Sequence, residues 1–108
     1  MTAITFFRDH DEKYLGFTCL GHTGYADEGE DIVCAGVSAL VINTVNALAA
    51  FTEEQFETEA EVPGELAVRF AAPAGHDAQL LIQSLVLGLQ GIQDTYGNDY
   101  VMLKFKEV

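Results

Sequence analysis

The sequence predicts a single α+β domain in which two helices cover one face of a mainly antiparallel sheet. Three observations support this fold class: two pairs of short strand-like segments joined by turns, two longer apolar segments, and a further strand-like segment after the second of these. The predicted order is β-β-α-β-β-α-β. With 108 residues, of which 49% are hydrophobic, the chain has room for one modest core. We therefore expect residues 1–108 to form one domain.

The first strand pair is predicted by its side chains. Residues 4–8 and 14–20 are rich in aromatic and β-branched residues and flank a polar stretch, as in a hairpin. Residues 21–30 contain three glycines and show no apolar periodicity, so they predict a mobile loop. Loops of this kind often carry functional residues.

The first helix is predicted from residue 32 to about residue 54, with Asp31 as its N-cap. Its apolar stripe recurs at helical spacing and comprises Val33, Val37, Leu40, Val41, Val45 and Leu48. The apolar run is interrupted by Ser38, Asn43 and Thr44, short of the ~20 residues that a bilayer span requires. We therefore expect a soluble protein without a membrane partner.

A second hairpin, a second helix and a last strand follow. Residues 56–62 and 66–70 alternate around a type II turn at Pro63 and Gly64. Residues 80–92 are apolar on nearly every side, and a final strand is predicted over residues 100–105. A domain this small can hardly bury such a helix alone, so the pattern predicts a two-fold homodimer.

The charge balance limits the partners of this chain. Five basic and seventeen acidic residues give a formal net charge of −12. Binding to a phosphate backbone requires clustered Lys and Arg, so we expect no direct contact with nucleic acid. The same charge favours encounter with a basic protein.

The cysteines and histidines indicate the compartment and limit the cofactors. Cys19 and Cys34 can form one bridge at most, and the apolar start of the chain is interrupted by Arg8 and Asp9, so we expect no signal peptide and free thiols in the cytoplasm. His10 and His76 lie in charged, turn-like surroundings, so we expect both to be surface residues. Without a close histidine pair, no metal and no cofactor is predicted.

One cysteine stands where a reactive thiol would be placed. Cys34 falls in the first turn of the predicted helix, where unpaired N–H groups and the helix dipole favour the anionic form of sulfur. His22 opens the glycine loop upstream and is a candidate base. Burial of Cys34 as a small apolar residue is the alternative, and Cys19, within a predicted strand, is expected to be core.

The residues around this candidate pair resemble a known family. GHTGYA at residues 21–26 and GEDIVCAGVSAL at residues 29–40 closely resemble the signature of the bacterial ribosomal-processing cysteine protease family, Prp. GLQGIQ at residues 88–93 is similar to that family's second helix, so the resemblance covers nearly the whole chain. The chain departs from the pattern at Gly36, where alanine is expected, and at Thr23, where a smaller residue is expected.

The resemblance implies a homodimeric cysteine endopeptidase that removes a short N-terminal extension from a large-subunit ribosomal protein. It implies His22 and Cys34 as the catalytic pair. The supporting or substrate-binding positions that we assign with it are Gly21, Gly24, Asp31 and Ser38. Two alternatives remain at this point: a non-catalytic acidic module that binds a basic ribosomal protein, and a thiol-dependent esterase or acyltransferase.

Overall fold

A computed structural model of the chain describes residues 1–21, 24–27, 30–60 and 65–108. The predicted α+β class and element order are confirmed. The elements are β1 (Thr2–Arg8), β2 (Tyr14–Leu20), α1 (Ile32–Phe51), β3 (Phe56–Glu59), β4 (Leu66–Phe70), α2 (His76–Tyr96) and β5 (Val101–Glu107).

The strands form one five-stranded sheet in the order β3-β4-β2-β1-β5. The pairs β1 with β2, β2 with β4, and β3 with β4 are antiparallel, whereas β1 and β5 are parallel. The sheet is thus mainly antiparallel, as predicted. The parallel pair joins strands from opposite ends of the described chain, with Thr2 opposite Val101.

In the part of the chain that the structure describes, the helices cover one face of the sheet. In β1, Ile4 and Phe6 are fully buried, while Thr5 and Phe7 on the other face are partly exposed. The buried strand residues join the helix residues in one core cluster, so both helices lie over the same face. The apolar stripe predicted for α1 faces this core: Val33, Val37, Val41 and Leu48 are buried, and Leu40 and Val45 pack against them.

The two helices run antiparallel and cross closely at two glycines. A Cβ atom on Gly36 would lie 3.3 Å from Cδ1 of Ile92, and one on Gly88 would lie 2.9 Å from Cδ1 of Leu40. The position of Gly36 at this crossing gives it a packing role. The missing side chain lets α1 approach α2.

Some predicted boundaries were wrong, for reasons of local chemistry. Helix α1 ends at Phe51 rather than near residue 54, because Thr52 adopts an extended conformation and donates its hydroxyl to the Leu48 carbonyl at 2.7 Å. Helix α2 begins at His76 and ends at Tyr96, beyond the predicted 80–92, because its end turns are polar and carry little apolar periodicity. Strand β3 ends at Glu59, and the predicted Pro63–Gly64 turn lies outside the described residues.

Strands β1 and β5 are also longer than predicted, since each extends along the other. Helix α1 is long and apolar enough, by length and composition alone, to cross a membrane, contrary to the expectation from its polar interruptions. The core helix of a soluble protein passes the same test. In this chain, the buried stripe of α1 packs in the core that the helix shares with the sheet.

Candidate active site

The candidate site lies at the end of the sheet where β2 finishes and α1 begins. At the same end, β1 and β5 both start: Ala3 is opposite Leu20, and Thr2 is opposite Val101. The hydroxyl of Thr2 donates to the carbonyl of Gly21 at 3.3 Å. The start of the chain therefore fixes the point at which the loop leaves β2.

Asp31 organises the start of α1 through both of its carboxylate oxygens. Oδ1 accepts the backbone N–H of Cys34 at 2.8 Å, which confirms the predicted N-cap. Oδ2 accepts the backbone N–H of Tyr25 at 3.0 Å and that of Ala26 at 3.4 Å. One half-buried carboxylate thus joins the loop segment 24–27 to the first turn of the helix.

The two cysteines occupy contrasting environments. Cys34 is the third residue of α1 and is partly exposed, whereas Cys19 lies in β2 and is buried, as predicted for a core residue. Burial, and then the nearby charge of Cys34, raise the pKa of the Cys19 thiol to about 11. Cys19 therefore stays protonated at neutral pH, which leaves Cys34 as the candidate nucleophile.

The glycines assigned to the site adopt conformations that other residues disfavour. Gly21 and Gly24 have φ values of +88° and +71°, in the left-handed region. At Gly21 there is a second constraint, because a Cβ atom would lie 2.6 Å from the carbonyl oxygen of Met1. The sequence suggested that these glycines provide mobility, and the structure adds a conformational requirement.

The other predicted residues are placed as follows. His22 lies outside the described residues, so the catalytic pair stays a prediction. Ser38 is exposed one helical turn after Cys34, and its supporting role also stays a prediction. His10 and His76 are exposed beside Asp11 and Asp77, as expected for surface residues.

Within the described ranges, no group of three or more His, Cys, Asp or Glu side chains is arranged to hold a metal ion.

Tyr25 was not among the site residues predicted from the sequence, although its ring contacts the rings of Tyr96 and Tyr100 at this site. These contacts join residues far apart in the sequence, so no local pattern reveals them. A tyrosine within a glycine loop was the only available signal.

Comparison with known proteins gives consistent matches over nearly the whole chain. The model of the family Cysteine protease Prp matches residues 1–101. The ribosomal processing cysteine protease Prp of Bacillus subtilis (strain 168) is 37% identical over 103 residues, covering 89% of this chain and 90% of the relative. The protein of the same name from Staphylococcus aureus (strain Mu50) is 33% identical over 87 residues, covering 80% and 81%.

Solved structures agree with these relatives. The essential ribosomal processing protease Prp from S. aureus, in complex with a covalently linked product peptide, superposes with a TM-score of 0.92 at 29% identity, covering 98% of this chain and 100% of that one. The same S. aureus protease with a substrate peptide gives a TM-score of 0.86 at 28% identity, with the same coverage.

Proposed function

Because this chain belongs to the Prp family of cysteine proteases, we propose that it removes a short N-terminal extension from a large-subunit ribosomal protein. The relatives named as ribosomal processing proteases support this substrate class. Membership of a protease family argues against both alternatives, a non-catalytic binding module and an esterase or acyltransferase.

One observation carries the assignment of the nucleophile. Cys34 is partly exposed in the first turn of α1, and Asp31 holds its backbone N–H at 2.8 Å. The other cysteine is buried, with a thiol pKa raised to about 11 mainly by that burial. Cys34 is thus the accessible thiol of the two, and it lies at a helix start.

The proposed reaction uses Cys34 and His22 in two steps. His22 takes the thiol proton, the sulfur attacks the scissile carbonyl carbon, and the C–N bond breaks as His22 returns the proton to the leaving amine. A water molecule, deprotonated by His22, then attacks the acyl-enzyme. The C–S bond breaks, the removed extension leaves with a free carboxyl terminus, and the proton held by His22 returns to the sulfur to restore the thiol.

The helix start also limits which donors stabilise the oxyanion. The N–H of Cys34 is bonded to Asp31, and that of Ala35 is bonded to the Asp31 carbonyl at 3.0 Å. The N–H groups of Ile32 and Val33 come earlier in the first turn and have no intrahelical acceptor. We assign these two as the helix-start candidates for the oxyanion donors.

The decisive experiment compares the two cysteines. Cys34→Ala should reduce cleavage of the extended ribosomal protein to below about one part in 10⁴ of the wild-type rate, as expected when a nucleophile is removed. The matched control, Cys19→Ala, should retain most of the activity. The new N-terminus of the product is measured by mass spectrometry, and circular dichroism checks folding. Comparable cleavage by both variants would exclude Cys34 as the nucleophile.

The proposal includes a homodimer in the cytoplasm. Large apolar side chains remain exposed on both helices of the single chain: Ile42 by 57%, Leu80 by 56% and Leu87 by 72%. A second copy that covers them would remove this apolar area from water. The free thiols of Cys19 and Cys34 suit a reducing compartment. Sedimentation equilibrium at micromolar concentration tests the dimer, and a monomer throughout that range would exclude it.

A further inference from the structure

Three tyrosine rings meet beside the start of α1. Tyr25, in the loop segment 24–27, packs edge-on against Tyr96 with ring centroids 5.4 Å apart and an interplanar angle of 80°. It packs in the same way against Tyr100, at 5.2 Å and 78°. Edge-to-face arrangements of this kind are favourable for aromatic pairs. The ring of Tyr25 therefore has two stabilising contacts with the body of the protein.

The two partner rings belong to well-anchored positions. Tyr96 is the last residue of α2. Tyr100 immediately precedes β5, and its carbonyl accepts the backbone N–H of Thr2 at 2.9 Å. The N–H of Tyr100 donates to the Gly97 carbonyl at 3.3 Å. One contact is thus made to the end of a helix and the other to the edge of the sheet.

The backbone of Tyr25 is connected to the reactive cysteine through Asp31. Its N–H binds Oδ2 of Asp31 at 3.0 Å, and Oδ1 of the same carboxylate binds the N–H of Cys34 at 2.8 Å. The ring contacts, the loop hydrogen bonds and the helix cap therefore form one continuous set of interactions.

Tyr25 nevertheless remains 41% exposed, and among the described residues its ring contacts are those with Tyr96 and Tyr100. Two edge-to-face contacts are comparable in free energy to the entropic cost of ordering one residue's backbone. Loss of the ring should therefore release the segment 24–27 from Asp31 for a substantial part of the time. The helix cap, made by the other carboxylate oxygen, should persist.

We propose that Tyr25 is a positioning residue for the cleavage reaction: its ring, packed on Tyr96 and Tyr100, keeps the segment 24–27 bonded to Asp31 and so maintains the arrangement around Cys34. The role of Tyr25 in cleavage rests on the proposed function. Its role in ordering the segment rests on the structure alone.

The test removes the ring or only its hydroxyl. Tyr25→Leu should lower kcat on a short peptide spanning the cleavage sequence by about tenfold and change KM by less than about twofold, because fewer molecules hold the competent arrangement. Tyr25→Phe keeps the ring and should retain wild-type kcat. The matched control is Phe56→Leu, which removes an edge-to-face contact with Phe70, of 6.1 Å and 67°, at the opposite edge of the sheet. It should leave kcat unchanged.

A double-mutant cycle separates positioning from a general loss of stability. If Tyr25 acts through Tyr96, the variant carrying both Tyr25→Leu and Tyr96→Leu should be little slower than Tyr25→Leu alone. If the loss of kcat in the double variant equals the product of the losses in the two single variants, the proposed contact between Tyr25 and Tyr96 is wrong. Wild-type kcat in Tyr25→Leu would overturn the proposal, and an equal loss in Tyr25→Phe would show that the ring is not the cause.

Hydrogen exchange provides a measurement that does not depend on the substrate. By NMR, the amide of Ala26 should exchange about tenfold faster in Tyr25→Leu than in the wild type, while the capped amide of Cys34 changes less. Unchanged exchange at Ala26 would contradict the ordering role. If the wild-type enzyme leaves the ribosomal extension uncut but this exchange difference appears, the proposed substrate is wrong and the ordering role of Tyr25 stands.

Discussion

The two helices have similar lengths, but their N-termini are used differently. Helix α1 begins at Ile32 after the N-cap Asp31, whose carboxylate accepts the backbone N–H groups of Tyr25, Ala26 and Cys34, and its first turn presents the partly exposed Cys34. Helix α2 begins at His76, its N-cap Gly75 provides no side-chain hydrogen bond, and its first turn contains the buried Ala78 and Gln79. The chemically distinctive residue of the first turn is therefore partly exposed in α1 and buried in α2: Cys34 in the former, Gln79 in the latter.

The buried Gln79 in the first turn of α2 completes the sheet. An irregularity in the β1–β2 register places Arg8 opposite Tyr14, and the β2–β4 pairing reaches only Gly16. The Gln79 side chain therefore acts as the missing strand partner: Oε1 accepts the N–H of Tyr14 at 2.8 Å, and Nε2 donates to the Tyr14 carbonyl at 3.0 Å. Both helix starts have the same dipole, but only α1 places a partly exposed thiol in its first turn.

The largest effect is expected at the start of α2. Gln79→Leu should lower the free energy of unfolding by about 2 to 4 kcal/mol, because it leaves the buried N–H and carbonyl of Tyr14 without partners. Urea denaturation measures this loss, and the folded fraction should still cleave normally. The control Gln83→Leu lies one turn later at an exposed position and should change stability little. Equal stability of the two variants would show that the hydrogen bonds between Gln79 and Tyr14 contribute nothing to the free energy of unfolding.

The corresponding change at α1 should affect activity more than stability. Asn caps a helix as well as Asp, but it offers one acceptor oxygen and no charge. Asp31→Asn can keep the bond to Cys34 only by giving up those to Tyr25 and Ala26. Even a small misplacement of the groups around a nucleophile can cost about 100-fold in rate, so kcat/KM should fall by roughly 10- to 100-fold. The retained helix cap should keep the Tm nearly normal.

The other helix start supplies the control for Asp31. Asp77 lies in the first turn of α2 with an exposed side chain, so Asp77→Asn removes an equivalent negative charge from the N-terminus of α2. Its kcat/KM should equal that of the wild type. Full turnover by Asp31→Asn would mean that Asp31 acts only as a helix cap.

The smallest effect is expected where the helices cross. Gly36→Ala should gain up to about 1 kcal/mol of helix propensity, offset by a contact 3.3 Å from Ile92, whose half-buried side chain can shift slightly. We expect a net rise in Tm of a few degrees with cleavage unchanged. Gly88→Ala, with a tighter approach of 2.9 Å to Leu40, should gain less. Slower cleavage by Gly36→Ala would instead indicate that the glycine serves mobility.

The features that the sequence predicted well are those encoded by near neighbours. Asp31 and Cys34 are three residues apart, so the cap and the position of the thiol follow from helix geometry. The burial of Cys19 follows from its place among strand residues. The family signature around the candidate pair is equally local, and the match over residues 1–101 agrees with it.

The features that escaped prediction depend on residues distant in sequence. Gln79 binds Tyr14 across 65 positions, and neither residue carries a local signal of the other. The ring of Tyr25 packs against Tyr96 and Tyr100 for reasons that only the folded chain makes visible. The parallel pairing of β1 with β5 likewise depends on which strands become neighbours, which alternation of side chains does not determine.

The pairing of β1 with β5 bears on when a nascent chain can become active. Thr2 pairs with Val101, and the anchor Tyr100 immediately precedes that strand, so the segment beside Cys34 gains its support only after β5 has left the ribosome and docked. Contacts this distant in sequence form late and slow the folding of small domains. Cys34 is therefore synthesised long before β5, the strand that completes its surroundings. An unfinished polypeptide should not cleave the proteins made beside it.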